Sequence, residues 1–119
     1  MDLEALRMLL LSKKAAVEEM PFGPDALVYK VMGKMFALVA WQSDPLQLTL
    51  KCDPAYAEML RQRYEAVQPG YYMNKRHWNT IALDGSIPEA GVHSMVDESY
   101  QLVVQGLRKA DRETLQALD

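Results

Sequence analysis

Residues 26–54 read ALVYKVMGKMFALVAWQSDPLQLTLKCDP and carry three strand patterns and a helix start in succession. Near its end Leu46, Leu48 and Leu50 alternate strictly with Gln47, Thr49 and Lys51. A side-chain period of two is that of a half-buried β-strand with one wet face. Upstream, residues 26–31 and 35–41 are rich in Val, Leu, Tyr and Phe and predict two more strands. Met32-Gly33-Lys34 is a short connector, and Gly33 can take the positive φ that a hairpin turn needs. Downstream, Asp53 can cap free N–H groups and Pro54 fits a first helical position. A helix therefore follows to about residue 65, with Tyr56, Met59, Leu60 and Tyr64 at its period.

The flanks extend this pattern. Residues 2–14 predict a helix in which Leu3, Leu6 and Leu10 share one face and Leu9 widens it. Asp2 and Glu4 lie at the positive end of its dipole, Lys13 and Lys14 at the negative end. Val17 to Met20 is an extended piece, and Pro21 to Asp25 a rigid loop. Gln68 to Tyr71 is a turn or short strand, and residues 78–83 are a strand. Ser86-Ile87-Pro88-Glu89 matches a capping box and opens a long helix to about residue 109, with Val92, Val96, Val103 and Leu107 facing in. Asp111 caps a short last helix that turns Leu115 and Leu118 inward. Met20, Met35, Met59 and Met95 fall at core-like positions as gap fillers. The fold class is α+β, with two layers: an antiparallel sheet of about five strands packed by helices, in the order α-β(3)-α-β(2)-α. No repeat or linker divides residues 1–119, so a single domain is expected.

Composition narrows the function classes. The chain has 119 residues, half of them apolar, and this excludes a disordered tail. A single Cys excludes an intramolecular disulfide framework and points to a reducing cytoplasm. The start lacks the positive, long apolar pattern of a secretory signal, and no run reaches the ~20 apolar residues of a membrane span. The formal charge is −3, which argues against a nucleic-acid binder until it is divided along the chain. Residues 30–80 hold seven cations against four anions, a balance of +3, between flanks of −2 and −4. A local basic patch is compatible with an acidic whole.

Enzyme motifs are missing. His77, His93 and Cys52 have no metal-ligand spacing, and there is no phosphate-cradling glycine loop or nucleophile elbow. The expectation is no catalytic residue, no cofactor and no metal. Cys52, beside Lys51 and ahead of a helix start, has two features that favour a thiolate, or is simply a small residue at a junction. Glu18 and Glu19 are adjacent and on a strand point to opposite faces, so they form no carboxylate pair.

The unusual segment is Tyr71-Tyr72-Met73-Asn74-Lys75-Arg76-His77-Trp78-Asn79-Thr80. Aromatic faces stack on bases, cations meet phosphates, and Asn pairs with a base edge. The same residues can equally build a turn and anchor a strand by Trp78.

With these residues in view, the chain resembles the MmcQ/YjbR family. The resemblance rests on Pro21-Phe22-Gly23-Pro24, the hairpin Val28 to Leu38 with Gly33-Lys34-Met35-Phe36-Ala37, and Leu50-Lys51-Cys52-Asp53-Pro54. It continues through Pro69-Gly70-Tyr71, the block Met73 to Thr80, Leu83-Asp84-Gly85 and Asp97-Glu98-Ser99-Tyr100. Asn74-Lys75-x-His77-Trp78 is its most specific part. The resemblance implies an α-β(3)-α-β(2)-α fold similar to CyaY-like and secretion-chaperone-like architectures. It also implies DNA binding through a double-wing motif, and brings no catalytic activity or cofactor.

Two functions of different class follow. In a nucleic-acid-binding module, Lys34, Lys51, Lys75 and Arg76 contact phosphate, with Asn74, His77 and Asn79 near bases or sugar. In a protein- or peptide-interaction module, the sheet face or an exposed strand edge receives the partner and no nucleic acid binds.

Overall fold

The computed structural model describes residues 1–70 and 73–118. The elements are α1 (Leu3–Leu11), β1 (Ala16–Glu19), β2 (Leu27–Val31), β3 (Lys34–Ala40), β4 (Gln47–Lys51), α2 (Pro54–Arg63), β5 (Val67–Pro69), β6 (Trp78–Ala82), α3 (Glu89–Gln105) and α4 (Lys109–Ala117). Among the described residues six strands form one antiparallel sheet in the order β1-β2-β3-β4-β6-β5. The class is α+β, with one strand more than expected.

The extra strand is β1, in the stretch read only as extended. Four residues carry too little pattern to declare a strand alone, and pairing with β2 supplies the rest. The β2–β3 hairpin turns through Met32 (φ 49°) and Gly33 (φ 82°). Two left-handed residues in succession match the twist of the flanking strands.

Register fixes the two faces of the sheet. Tyr29 pairs with Ala37, Ala37 with Leu50, and Leu50 with Asn79. Val39 pairs with Leu48, Leu48 with Ile81, and Ile81 with Val67. These rows face the helices and are buried. Phe36 meets Tyr100 of α3 edge to face, ring centroids 5.4 Å apart. The Ser99 hydroxyl of α3 accepts the Lys51 N–H at 2.8 Å and donates to Phe36 O at 2.6 Å, bridging β4 and β3. The other face carries Val28, Leu38, Thr49, Thr80 and Gln68 in one row across five strands. None of these belongs to the core beneath the helices.

Several boundaries move. The first helix ends at Leu11, and Ala15 turns the chain at φ 60°. The capping box does not form: Pro88 is the N-cap of α3 without a side-chain bond, and the Ser86 N–H donates to Asp84 Oδ1 at 2.9 Å. A residue before proline is pushed to extended geometry, so Ile87 cannot open the helix. The long helix ends at Gln105, not near residue 109, and α4 starts ahead of Asp111. Asp111 pairs with Arg108 at 3.4 Å instead of capping. Leu115 is buried, whereas Leu118 follows the end of α4 and is 45% exposed. Met95 fills the core as expected, but Met20 and Met59 are exposed. Among the described residues no helix is long and apolar enough to cross a membrane.

Candidate nucleic-acid interface

The β4–β6 pairing builds this corner. Lys51, the last residue of β4, stands opposite Trp78, the first of β6. The Cys52 N–H donates to His77 O at 2.7 Å and carries the pairing one step further. Both Lys51 and Trp78 alternate with core-facing neighbours, so they leave the sheet on its helix-free face. Gly70 makes this possible. Its N–H donates to Trp78 O at 2.8 Å, and a Cβ there would lie 2.9 Å from Trp78 Cβ.

Asn74 to His77 form a turn. The Arg76 N–H donates to Asn74 Oδ1 at 3.0 Å, and the His77 N–H donates to Asn74 O at 3.0 Å. Asn at the first turn position closes such a loop by its own side chain. Lys75 and Arg76 occupy the tip, and both are exposed.

Arg61 of α2 pins this turn. Its Nε donates to Asn79 Oδ1 at 2.6 Å, and Nη2 donates to Lys75 O and, at 3.3 Å, to Trp78 O. All three acceptors are neutral. Among the described residues no carboxylate lies within ion-pair distance of Arg61, so its charge adds to those of Lys75 and Arg76. Glu58 is the acid nearby, sharing with Arg61 and Arg76 a shallow groove of about 210 Å³ at the start of α2.

The seven residues named from sequence are thus partly assembled. The turn from Asn74 to His77 lies at the end of the sheet where Lys51 closes β4, but Lys51 leaves on the helix-free face whereas Arg76 lines the groove against α2. Lys34 is exposed at the same end of the sheet, three residues before the last β3–β4 pair, Ala37 with Leu50. Its own pairing with core-facing Val31 places it on the helix side, away from Lys51. Asn79 is only 2% exposed and donates to Ala57 O at 3.3 Å while accepting from Arg61. Its amide is consumed by the scaffold and does not reach a base. Tyr71 and Tyr72 lie outside the described residues.

Cys52 does not have the environment of a thiolate. It is 4% exposed, and burial first, then the charges of Glu98 and Asp53, pushes its thiol up to about 11. Asp53 caps α2 as expected, accepting from Ala55 N at 3.2 Å and Tyr56 N at 3.5 Å. Among the described residues no group of three or more His, Cys, Asp or Glu is arranged for a metal.

Sequence reasoning missed Arg61. It reads as one cation among several on a helix, and only the packing of α2 beside β5 and β6 gives it this role. The one sequence signal was the position of Asn79, an amide on the buried side of an alternating strand.

Comparison with known proteins adds the following. Residues 11–102 match the family model described as YjbR. The Escherichia coli K12 protein YjbR, described as uncharacterized, is 34% identical over 115 residues, covering 97% of this chain and 98% of its own. YbdF of Escherichia coli O157:H7, also described as uncharacterized, is 38% identical over 92 residues, covering 77% of this chain and 75% of its own. The crystal structure of Deinococcus radiodurans protein DR2400, with domain DUF419, superposes with a TM-score of 0.90 at 38% identity, covering 99% of this chain and 90% of that one. A Pseudomonas syringae crystal structure superposes with a TM-score of 0.74 at 26% identity, covering 86% and 98%.

Proposed function

The chain belongs to the YjbR family, and from that premise and the surface it presents we propose that it is a nucleic-acid-binding module and not a catalyst. The observation that carries this reading is the corner where Lys51 and Trp78 face each other beside a turn tipped by Lys75 and Arg76. Arg61 holds that turn through neutral acceptors and leaves its own charge in place. Cations displayed on a backbone already fixed by hydrogen bonds meet phosphate at low entropic cost. Lys51, Lys75 and Arg76 are the phosphate contacts, and Lys34 stands apart from them on the helix side. DNA is one such ligand. One buried, unpaired Cys fits a cytoplasmic setting.

The test is fluorescence anisotropy with mixed-sequence oligonucleotides at several salt concentrations. Affinity falls with salt, by a log–log slope of about −0.7 to −0.9 for each phosphate neutralised. The pair Lys75→Ala, Arg76→Ala flattens that slope by about two contacts. Absence of any binding at low salt overturns the reading.

A second reading, a protein-interaction module, draws on the opposite edge of the sheet. Met8, Leu11, Val17, Met20 and Phe22 are exposed large apolar residues concentrated in α1, β1 and the chain just beyond. Analytical ultracentrifugation of wild type and a Val17→Ser, Phe22→Ser variant tests whether this edge self-associates. A monomer at all concentrations for both removes self-association as its use.

A further inference from the structure

We infer that the helix-free face of the sheet is a platform for unpaired bases, which makes the ligand a single-stranded nucleic acid. This rests on the nucleic-acid reading above and names its substrate class.

The face has the right chemistry in the right order. Beyond Lys51 and Trp78 lies a concavity of about 360 Å³ on β3, β4, β5 and β6. Leu38 and Ala40 supply apolar surface, Gln47 and Gln68 supply amides, and Thr49 and Thr80 supply hydroxyls. Among the described residues no charged side chain lines it. The two hydroxyls already bond to each other at 2.8 Å, so the floor is partly satisfied and weakly polar.

Charge and shape are complementary to one kind of occupant. Lys51 stands at one end of this face, where the turn carrying Lys75 and Arg76 leads into Trp78, and Arg76 reaches toward α2; the floor itself is neutral. A strand whose phosphates run past the cationic end can lay its bases on the neutral floor. Stacking on an aromatic such as Trp78 suits any base, and amides meet the base edges that a duplex would bury. A duplex offers this face its phosphates but not its base edges. Reading a major groove takes a protruding helix or ribbon, whereas this surface is concave and its Trp is half-buried.

The experiment uses the full chain and a fluorescein-labelled mixed-sequence strand of ~12 nucleotides, alone and as its duplex. Anisotropy at low salt gives both affinities. The strand binds about tenfold or more tightly than the duplex, and Trp78→Leu weakens strand binding about tenfold. The chain has two tryptophans, and Trp41 is occupied by a bond from Nε1 to Pro24 O at 2.7 Å. In a Trp41→Phe background the single strand therefore quenches Trp78 emission. Gln47→Glu with Gln68→Glu keeps the shape, adds charge to the floor, and lowers strand affinity without altering the thermal midpoint by more than a few degrees. This variant carries the test if Trp78→Leu does not fold. Equal affinity for strand and duplex, with the glutamate variant neutral, overturns this inference and leaves nucleic-acid binding standing. No binding of either probe overturns both.

Discussion

Two edges of the sheet are held by the same device and differ in what it leaves behind. At one edge Arg7 of α1 grips Glu18 of β1 with two bonds of 2.9 Å, and the Tyr29 hydroxyl donates to the same carboxylate at 2.5 Å. At the other, Arg61 of α2 grips Asn79 and the carbonyls of Lys75 and Trp78. Each arginine ties a helix to the strands at its edge. The first is neutralised by a carboxylate in a bidentate pair. The second is bound by amide and carbonyl oxygens and stays cationic next to two more cations. The same mechanical element thus closes one edge electrically and opens the other. Exposed apolar residues gather at the neutral edge and exposed cations at the charged one, so the two edges present different chemistry to partners.

Removing each arginine in turn separates the two edges. Arg61→Met leaves the buried Asn79 oxygen unpaired and frees the turn, costing about 2 kcal/mol in urea unfolding. It also lowers oligonucleotide affinity by tenfold or more, because Lys75 and Arg76 lose their fixed setting as well as a neighbouring charge. Arg7→Met destabilises too, but leaves affinity unchanged. Equal loss of affinity in both variants shows that the edges are not distinct.

The sequence disclosed one side of this comparison better than the other. Strands β2, β3, β4 and β6 were legible because alternation and short connectors are local properties. The cap at Asp53 and the stripe on α3 were legible for the same reason. Strand β1 was not, since its identity as a strand comes from β2. Glu18 and Glu19 were correctly placed on opposite faces, yet their partners are Arg7 and Lys30, the latter at 2.8 Å, and both pairs need the folded sheet. Asn79 was assigned to a ligand because residue type outweighed parity. Two positions on, Ile81 marks that face as buried, and this should have excluded it. Arg61 lies 18 residues from Asn79, and no periodicity links a helix surface to a strand at that range. The cationic corner was therefore visible as composition, and its architecture was not.

Acid acts on one edge alone, with a smaller effect. The Arg7 guanidinium, followed by the Tyr29 hydroxyl, holds the Glu18 carboxyl below the usual carboxylate range against the opposing effect of burial. A folded-state pKa below the unfolded one gives stability that is complete above the ordinary carboxylate pKa. That stability is lost as pH falls through the lowered folded value. Urea unfolding between about pH 7 and pH 3 therefore shows a decline that Arg7→Met partly removes. Arg61→Met retains the decline, because among the described residues no carboxylate bonds to Arg61. A decline of the same slope in wild type and Arg7→Met counts against the neutralised edge.

The smallest effect comes from the hairpin tip, which belongs to neither edge. Met32 is held at φ 49° in a turn that favours Asn or Gly at that position. A left-handed non-glycine residue strains the backbone, and Asn tolerates this geometry best among residues with a side chain. Met32→Asn is expected to stabilise the protein by about 0.5 kcal/mol, read as a higher urea midpoint with an unchanged slope. Because Lys34 leaves this hairpin on the helix side, away from Lys51, stiffening the turn leaves oligonucleotide affinity unaltered. A gain in affinity along with stability would make the hairpin a second contact with the ligand. The charged surface would then extend along the whole end of the sheet, and the contrast between two edges would give way to one between two ends.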